Sequence, residues 1–326
     1  MKRDVFRWYG TRQRLFLFAV VMARTLALMP QLGAQQRPTA INLRVGMLTG
    51  SSSGPAQSAE RGVRLGVAEA KQTAQLFGGD VQLFESPLGS DPVGAATRLV
   101  SANSVQVLVV TDPLATDAIS KFAEQRRLIF LNIAAREQPL RAACRRYTFH
   151  VEASDAMYGN AARRSSRKAG PTNSSDDRDS VVLWWQTLER YGAGQINDRY
   201  RARYNTGMDG PAWAGWAAVK MIAESALRAR SVDAPRLIAY LESPTTTFDG
   251  HKGWPLTFRT ADHQLRQPLY VLTHDKQSGK LDFHDVPELR SSRNTGTSEG
   301  GSSASAALDA LIAPLNGPGC QWSTSP

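Results

Sequence analysis

The segment that decides the fold is Ile41-Asn-Leu-Arg-Val-Gly-Met-Leu-Thr-Gly-Ser-Ser-Ser-Gly-Pro-Ala56. Its apolar first half predicts a strand, and the apolar residues spaced three and four apart over 59–70 predict an amphipathic helix. Pro55 suits the first turn of that helix, where a missing N–H costs no hydrogen bond. The serine-rich turn offers hydroxyls and free helix-terminal N–H groups, which can bind a carboxylate or another polar ligand group.

The alternation of strand and helix patterns continues to residue 133. Continuous apolar runs at 105–110 and 128–133 have the length of strands buried on both faces. Helical patterns lie between the strands, and Asp91-Pro92 is typical of a helix start. The sequence therefore predicts a parallel, doubly wound α/β lobe, in which ligands bind beyond the carboxyl ends of the strands.

Residues 1–34 have the layout of a secretory signal peptide. A basic start precedes an apolar run at 15–23 and a plausible cleavage site at 32–34, and the run is too short for a stable membrane span. This layout predicts export from the cytoplasm. Arg24 interrupts the apolar stretch, so the alternative is a start codon placed too far upstream of a cytoplasmic protein.

The charge of the chain does not indicate a nucleic-acid partner. Residues 1–34 carry six basic side chains and one acidic side chain, which is half of the formal net charge of +10. A basic cluster over 136–168 is typical of a solvated face or a linker. No nucleic-acid-binding motif accompanies it, so we expect no nucleic acid among the partners.

The two cysteines, Cys144 and Cys320, fit an oxidising compartment better than a metal site. Two lone thiols cannot complete a tetrahedral zinc shell, and the five histidines show no metal-binding spacing, so no metal is expected. If the protein is exported, the cysteines can pair and hold the C-terminal tail on the N-terminal lobe. Two unpaired thiols are the alternative. No cofactor is expected either, because neither a phosphate loop nor a dinucleotide fingerprint is present.

A serine hydrolase is a third hypothesis, behind the two given below. Gly50-Ser-Ser-Ser-Gly54 matches the G-x-S-x-G nucleophile elbow with Ser52 as the nucleophile, and Asp249 and His251 follow in the order of such enzymes. The match is weak because an α/β hydrolase places its elbow after several strands, whereas this turn follows the first strand.

The second half of the chain alternates between polar stretches and ordered patterns. The polar sequence from Tyr158 to Asp179 has no periodicity and predicts a linker or a disordered loop. Strand and helix patterns return at 181–289, with Asp209 and Pro211 starting a long helix. Serine, glycine and threonine dominate residues 290–307, which predicts a flexible linker before a short apolar piece.

Together these segments resemble the amino-acid-binding, type I family of periplasmic solute-binding proteins. The opening strand, turn and helix resemble the start of its mature chains, and Tyr147-Thr-Phe-His-Val151 resembles its crossing segment between lobes. Asp209-Gly-Pro-Ala-Trp213, Asp249-Gly-His-Lys-Gly253 and Gln264-Leu-Arg-Gln-Pro-Leu269 are similar to the subfamily associated with pyrroloquinoline-quinone-dependent alcohol oxidation. The resemblance covers roughly 220 residues, and on the order of a hundred residues of the second lobe are missing.

The resemblance implies a two-lobed α/β fold with a shortened second lobe. The expected divisions are a signal peptide at 1–34, an N-terminal lobe at 35–150, a crossing segment and polar linker at 151–180, a shortened second lobe at 181–289, and a flexible linker with a C-terminal tail at 290–326.

The family's ligand contacts come from three loops at the carboxyl ends of strands. The residues at these positions are Ser52, Ser53, Asp112, Thr116, Asn132 and Ala134. Ordinary helix capping is the alternative for the serines and for Asp112. Tyr158 and Trp213 are further candidates to cover a solute, although tryptophans at helical spacing, such as Trp213 and Trp216, are also typical of core packing.

The resemblance also implies the function. It predicts a non-enzymatic, monomeric periplasmic component of an ABC importer, whose lobes close on a small polar solute such as an amino acid, an amide or a small metabolite of alcohol oxidation. The partner would be the membrane permease. The alternative is a truncated remnant or interaction protein that binds no solute, since a shortened lobe exposes apolar edges.

Overall fold

The structure, a computed structural model, describes residues 40–50, 53–169, 180–274, 281–286, 300–312 and 319–322. The predicted signal peptide at 1–34 lies outside these residues, as do Ser52 and the polar stretch at 170–179. Across the part of the chain that is described, no helix combines the length and the apolar character needed to cross a membrane.

A five-stranded parallel sheet organises the first part of the chain. Its strands are β1 (Asn42–Thr49), β2 (Asp80–Pro87), β3 (Val107–Val110), β4 (Ile129–Asn132) and β5 (Thr148–His150), in the order β2-β1-β3-β4-β5. The connections contain α1 (Gly54–Leu76), α2 (Pro92–Asn103), α3 (Thr116–Arg126) and the short α4 (Gln138–Ala142). Every residue of β3 and β4 is buried, which confirms the predicted parallel α/β architecture.

The helices begin where side chains and prolines favour a start. Asp91 Oδ1 accepts from the Gly94 N–H at 2.8 Å before α2, and Ser53 Oγ accepts from the Ala56 N–H at 3.4 Å before α1. Each cap satisfies one N–H that has no partner within the helix. A proline occupies the first turn in both helices.

In the rest of the described chain there are five further α-helices and two antiparallel sheets. The helices are α5 (Asp155–Ala169), α6 (Ala193–Tyr204), α7 (Gly210–Ala229), α8 (Ala234–Glu242) and α9 (Gly300–Asp309). The strands are β6 (Ser180–Val182), β7 (Phe248–Asp249), β8 (Pro255–Phe258), β9 (Leu265–Arg266), β10 (Tyr270–His274) and β11 (Leu281–Asp285). They form the sheets β11-β10-β6 and β7-β8-β9.

Helix α7 packs against α1 so closely that backbone atoms of the two helices approach each other. A Cβ on Gly62 of α1 would lie 1.9 Å from the carbonyl oxygen of Ala212, and one on Gly215 of α7 would lie 2.4 Å from the carbonyl oxygen of Ala59. Glycine is therefore required at this crossing. Apolar residues of α6, α7 and α8 belong to the same hydrophobic cluster as β1 and α1. The boundary expected at residue 180 is thus not a boundary of the hydrophobic core.

Two segments predicted as linkers contain helices. Helix α5 covers 155–169, where Met157 and Ala161 are fully buried four residues apart and so form a narrow apolar stripe. Helix α9 covers 300–309, and its residue Leu308 and the following Leu311 and Ile312 are buried in the core. The two linker predictions are therefore wrong where these helices lie, and the physical reason is the same in both cases. Packing onto a core stabilises a helix that its composition alone does not favour.

Cys144 and Cys320 form a disulfide bond across 176 residues of sequence. The N–H of Cys320 donates to the carbonyl oxygen of Ala261 at 2.8 Å. The Trp322 ring stacks on His263 with centroids 4.3 Å apart. Of the two alternatives for the cysteines, the structure therefore contains the bonded pair. The disulfide fixes the C-terminal tail to the loop between α4 and β5, and the contacts of Cys320 and Trp322 hold it on the loop before β9.

Candidate functional site

A cavity of about 390 Å³ lies at the carboxyl ends of the parallel strands. The loops after β1, β3, β4 and β5 contribute to its lining, together with the first turns of α1, α5 and α7. This is the edge at which parallel α/β sheets bind ligands, and the volume is in the usual range for small molecules. We call this cavity the cleft.

The lining of the cleft combines apolar residues with polar and charged ones. The apolar residues are Pro55, Ala56, Ala59, Pro113, Ile133, Ala134 and Pro211. The polar and charged residues are Ser53, Thr111, Arg136, Glu137, Glu152 and Asp155. Such a lining suits a small solute with an apolar body and a polar or charged head.

Two of the residues predicted from the loops, Ser53 and Ala134, line the cleft. Ser53 also caps α1, so capping and lining are compatible roles for this side chain. Ser52 lies outside the described residues.

Asn132 is predicted as a ligand contact, but the structure places it beneath the cleft. It is fully buried, and its Oδ1 accepts from the N–H groups of Ala134 at 3.2 Å and Ala135 at 2.9 Å. Its Nδ2 donates to the Ala135 carbonyl oxygen at 2.8 Å and lies 3.1 Å from Nδ1 of His150. Burial, followed by the charge of Arg141, holds the pKa of His150 well below its usual value, so His150 Nδ1 is free to accept this bond. Asn132 therefore shapes the loop that carries Ala134.

Asp112 and Thr116 build the turn after β3 and do not line the cleft. Asp112 Oδ1 accepts from the Leu114 N–H at 2.9 Å, and the buried Thr116 hydroxyl donates to the Asp112 carbonyl oxygen at 3.1 Å. The adjacent Thr111 lines the cleft instead, and its Oγ1 accepts from the Gly50 N–H at 3.0 Å. For Asp112, the capping alternative describes what the structure shows.

Trp213 lies in the core rather than at the cleft. Its side chain has no exposed surface, and its Nε1 donates to the Gly250 carbonyl oxygen at 3.0 Å. Trp184 stacks beside it with centroids 6.0 Å apart, and Lys252 Nζ lies 3.8 Å from its ring centroid. Trp216 is likewise buried, so the core alternative describes both residues.

Tyr158 is not part of the cleft lining, but it contacts two residues that are. Its hydroxyl donates to Oε1 of Glu152 at 2.8 Å, and the guanidinium of Arg136 lies 4.1 Å over its ring. Arg136 Nε lies 3.3 Å from the same Glu152 oxygen. Burial raises the pKa of Glu152, and the charge of Arg136 and the Tyr158 hydrogen bond oppose that rise.

Arg136 and Glu152 are functional candidates that the sequence analysis missed. In the sequence, Arg136 falls in a basic cluster typical of a solvated face or a linker, and Glu152 falls only within the expected crossing segment and linker at 151–180. An acid directly after the apolar strand at 148–151 was the available signal, because a carboxylate at a strand's end is solvated or paired.

Arg141 supports the cleft from below. This arginine is 1% exposed, and its Nη1 and Nη2 donate at 2.8 Å to the carbonyl oxygens of Ala135 and Glu152. Its Nε donates to Gln264 Oε1 at 3.0 Å, and burial lowers its pKa to about 10. One buried side chain thus ties together the loop after β4, the loop after β5 and the turn before β9.

Within the residues that the structure describes, no three His, Cys, Asp or Glu side chains come together as a metal site requires. His251 lies near Asp249 and Tyr191. Ser52, the nucleophile of the hydrolase hypothesis, lies outside the described residues, so that hypothesis stays a prediction.

Comparison with known proteins finds a family match for part of the chain and solved structures with a similar fold. Residues 179–280 match the sequence profile of a family described as periplasmic binding protein. No curated protein matches the chain at a significant level.

Three solved structures illustrate the match in fold. An ABC-type branched-chain amino acid transporter from Rhodopseudomonas palustris is 15% identical, with a TM-score of 0.62 over 75% of this chain and 95% of that one. The branched-chain amino acid transporter substrate binding protein from Streptococcus pneumoniae, in complex with isoleucine, is 16% identical, with a TM-score of 0.57 over 76% and 99%. An R. palustris solute binding protein in complex with benzoate is 14% identical, with a TM-score of 0.61 over 75% and 96%.

The chain has the fold of a periplasmic binding protein. Identities this low show a shared fold and no more. The matched family and the three structures are solute-binding or transport proteins rather than enzymes, in agreement with the non-enzymatic expectation. The resemblance to the alcohol-oxidation subfamily stays a prediction.

Proposed function

We propose that this protein is the periplasmic solute-binding component of an ABC importer. In this role it captures one small polar solute in the cleft and delivers it to a membrane permease. The observation that carries the proposal is the cavity of about 390 Å³ at the carboxyl ends of β1, β3 and β4. The matched family and the fold support the same role.

The candidate solutes are amino acids, amides and small acids or alcohols. Solved proteins of this fold hold isoleucine or benzoate, and both ligands combine an apolar body with a carboxylate. The cleft lining includes apolar residues such as Ile133 and Pro211 and the charged residue Arg136, which suit the same combination. We include metabolites of alcohol oxidation because of the subfamily resemblance.

A second candidate is an interaction protein that binds no solute. It is favoured by the position of the cleft residues, which all belong to 53–155 or to the first turn of α7. Within the described residues, the sheet β11-β10-β6 contributes nothing to the lining. A solute would therefore be held from one side unless the molecule closes or a partner covers it.

Thermal unfolding against a solute panel separates the two candidates. A ligand that binds only the folded protein raises the midpoint as its concentration increases. We expect a dose-dependent rise in the wild type and its loss in Ala134→Phe, which fills the cleft. Ala102→Phe, at an exposed position of α2, is the matched control and should keep the rise. A cooperative transition that no solute moves would favour the interaction role.

A further inference from the structure

We propose that the solute of the cleft carries a carboxylate, and that Arg136, held by Glu152 and Tyr158, is its anchor. This inference rests on the proposed function and adds the chemical class of the ligand. The anchor is built from side chains of two neighbouring loops and α5.

The guanidinium of Arg136 contacts the Tyr158 ring through its face and the Glu152 carboxylate through its Nε edge. Its face lies 4.1 Å over the Tyr158 ring, and its Nε lies 3.3 Å from Glu152 Oε1. The Tyr158 hydroxyl donates to that same oxygen at 2.8 Å, so the three side chains brace one another. Glu152 is 2% exposed and cannot move into solvent without breaking these contacts.

The opposite end of the guanidinium is open to the cleft. Among the residues that the structure describes, the ion pair of Arg136 with Glu152 is closest at Nε, and no hydrogen bond from Nη1 or Nη2 is formed. Its side chain is 46% exposed and contributes to the cleft lining. Two parallel N–H groups at the end of a fixed plane match the two oxygens of a carboxylate. Because the plane is already oriented, binding costs little side-chain entropy.

The acidic residues of the lining do not oppose a carboxylate strongly. Glu137 and Asp155 are both exposed, so water and salt screen their charges. Glu152 already has Arg136 and Tyr158 as partners, so the adjacent positive charge of Arg136 offsets its negative charge. Glu137 and Asp155 are placed to meet an ammonium group if the solute is an amino acid.

The test is calorimetric titration of the full-length protein with matched pairs of ligands. The pairs are benzoate with benzamide and isoleucine with isoleucinol, which differ in the carboxylate. We expect each bound acid to lose affinity by about tenfold or more when its carboxylate is replaced, since a charged hydrogen bond is lost. Arg136→Gln should reduce the affinity for the acid by a similar factor, and Arg136→Lys should restore part of it.

Arg199→Gln is the matched control, because Arg199 is 45% exposed and also pairs with a glutamate, 2.6 Å away, outside the cleft lining. It should bind acids as the wild type does. Thermal unfolding of each variant verifies that it folds.

The possible outcomes separate this inference from the proposed function. Binding of isoleucine alone, lost in Arg136→Gln, supports the anchor and adds an ammonium subsite, whereas binding of benzoate supports the anchor for simple acids. If the ligands without a carboxylate bind as tightly as the acids, or if Arg136→Gln binds acids normally, the anchor is wrong and the binding role stands. If the wild type binds none of these ligands and no other solute of the panel, both proposals fail.

Discussion

The Nη2 atom of Arg141 lies 2.8 Å from the carbonyl oxygen of Glu152, and this bond connects α4 to the residue that holds Arg136. A second bond from the same guanidinium reaches Ala135, beside the lining residue Ala134. The two cleft loops therefore share one buried cation that is bound by backbone carbonyls and by the amide oxygen of Gln264. The shape of the cleft depends on a side chain that does not line it.

Replacement of Arg141 by methionine should destabilise the protein by about 2–4 kcal/mol, because Gln264 Oε1 loses its charged donor and the buried carbonyl oxygens of Ala135 and Glu152 each lose one of their two donors. Urea unfolding measures the change. Arg199→Met removes an exposed ion pair and should cost less than about 1 kcal/mol. Equal losses in the two variants would show that the Arg141 bonds do not matter for stability.

Replacement of Gly62 by alanine should destabilise the protein by about 1–3 kcal/mol or more, because the new Cβ would overlap the Ala212 carbonyl and separate α1 from α7. Gly54→Ala is the matched control in the same helix, since a Cβ there meets no atom within 4 Å. It should change stability by less than about 1 kcal/mol. Chemical denaturation of both variants makes the comparison, and a neutral Gly62→Ala would contradict the close helix crossing.

Reduction of the disulfide should lower the thermal midpoint of the wild type. The bond joins residues 176 apart, and losing such a link costs about 2–5 kcal/mol. The double variant Cys144→Ser/Cys320→Ser should start from the lower midpoint and show no response to dithiothreitol. A wild type that is insensitive to reductant, with quantitative thiol labelling, would mean that the cysteines are not paired.

Stability should fall as the pH falls below about 6.5, in part because of His150. Burial and then the charge of Arg141 hold its pKa well below the usual value, so the unfolded chain takes up the proton first. The contribution of His150 is therefore fully present above its unfolded pKa and is lost on acidification, by up to about 1.4 kcal/mol per pH unit.

The check is urea unfolding of wild type and His150→Gln between pH 5 and pH 7.5. The difference between the two proteins isolates His150 from groups such as Glu152, whose raised pKa acts in the opposite direction. His251→Gln, at a half-buried position, is the comparison variant. Parallel pH curves for wild type and His150→Gln would contradict the assignment.

The sequence predicts those elements whose signals lie within the element itself. Strands β3 and β4 are continuous apolar runs, and α1 and α2 start at a serine or aspartate followed by proline. Such signals depend on residues within one element, so one sequence suffices to read them.

The features that the sequence did not predict depend on distant contacts. Helix α5 has too narrow an apolar stripe to stand out, and its burial comes from elements far along the chain. The docking of α7 on α1 rests on glycines whose role appears only when both helices are in place. At the cleft, Ser53 and Ala134 followed from loop position, whereas Arg136 and Glu152 acquire their roles through each other and through Tyr158.

The most direct test of the central claim is the stoichiometry of solute binding by isothermal titration calorimetry. The wild type, Ala134→Phe and Ala102→Phe are each titrated with the solute that raises the thermal midpoint most. The account predicts one solute per chain in the wild type and in Ala102→Phe, and no measurable binding in Ala134→Phe. Undiminished binding by Ala134→Phe, or no binding by the wild type to any solute of the panel, would contradict it.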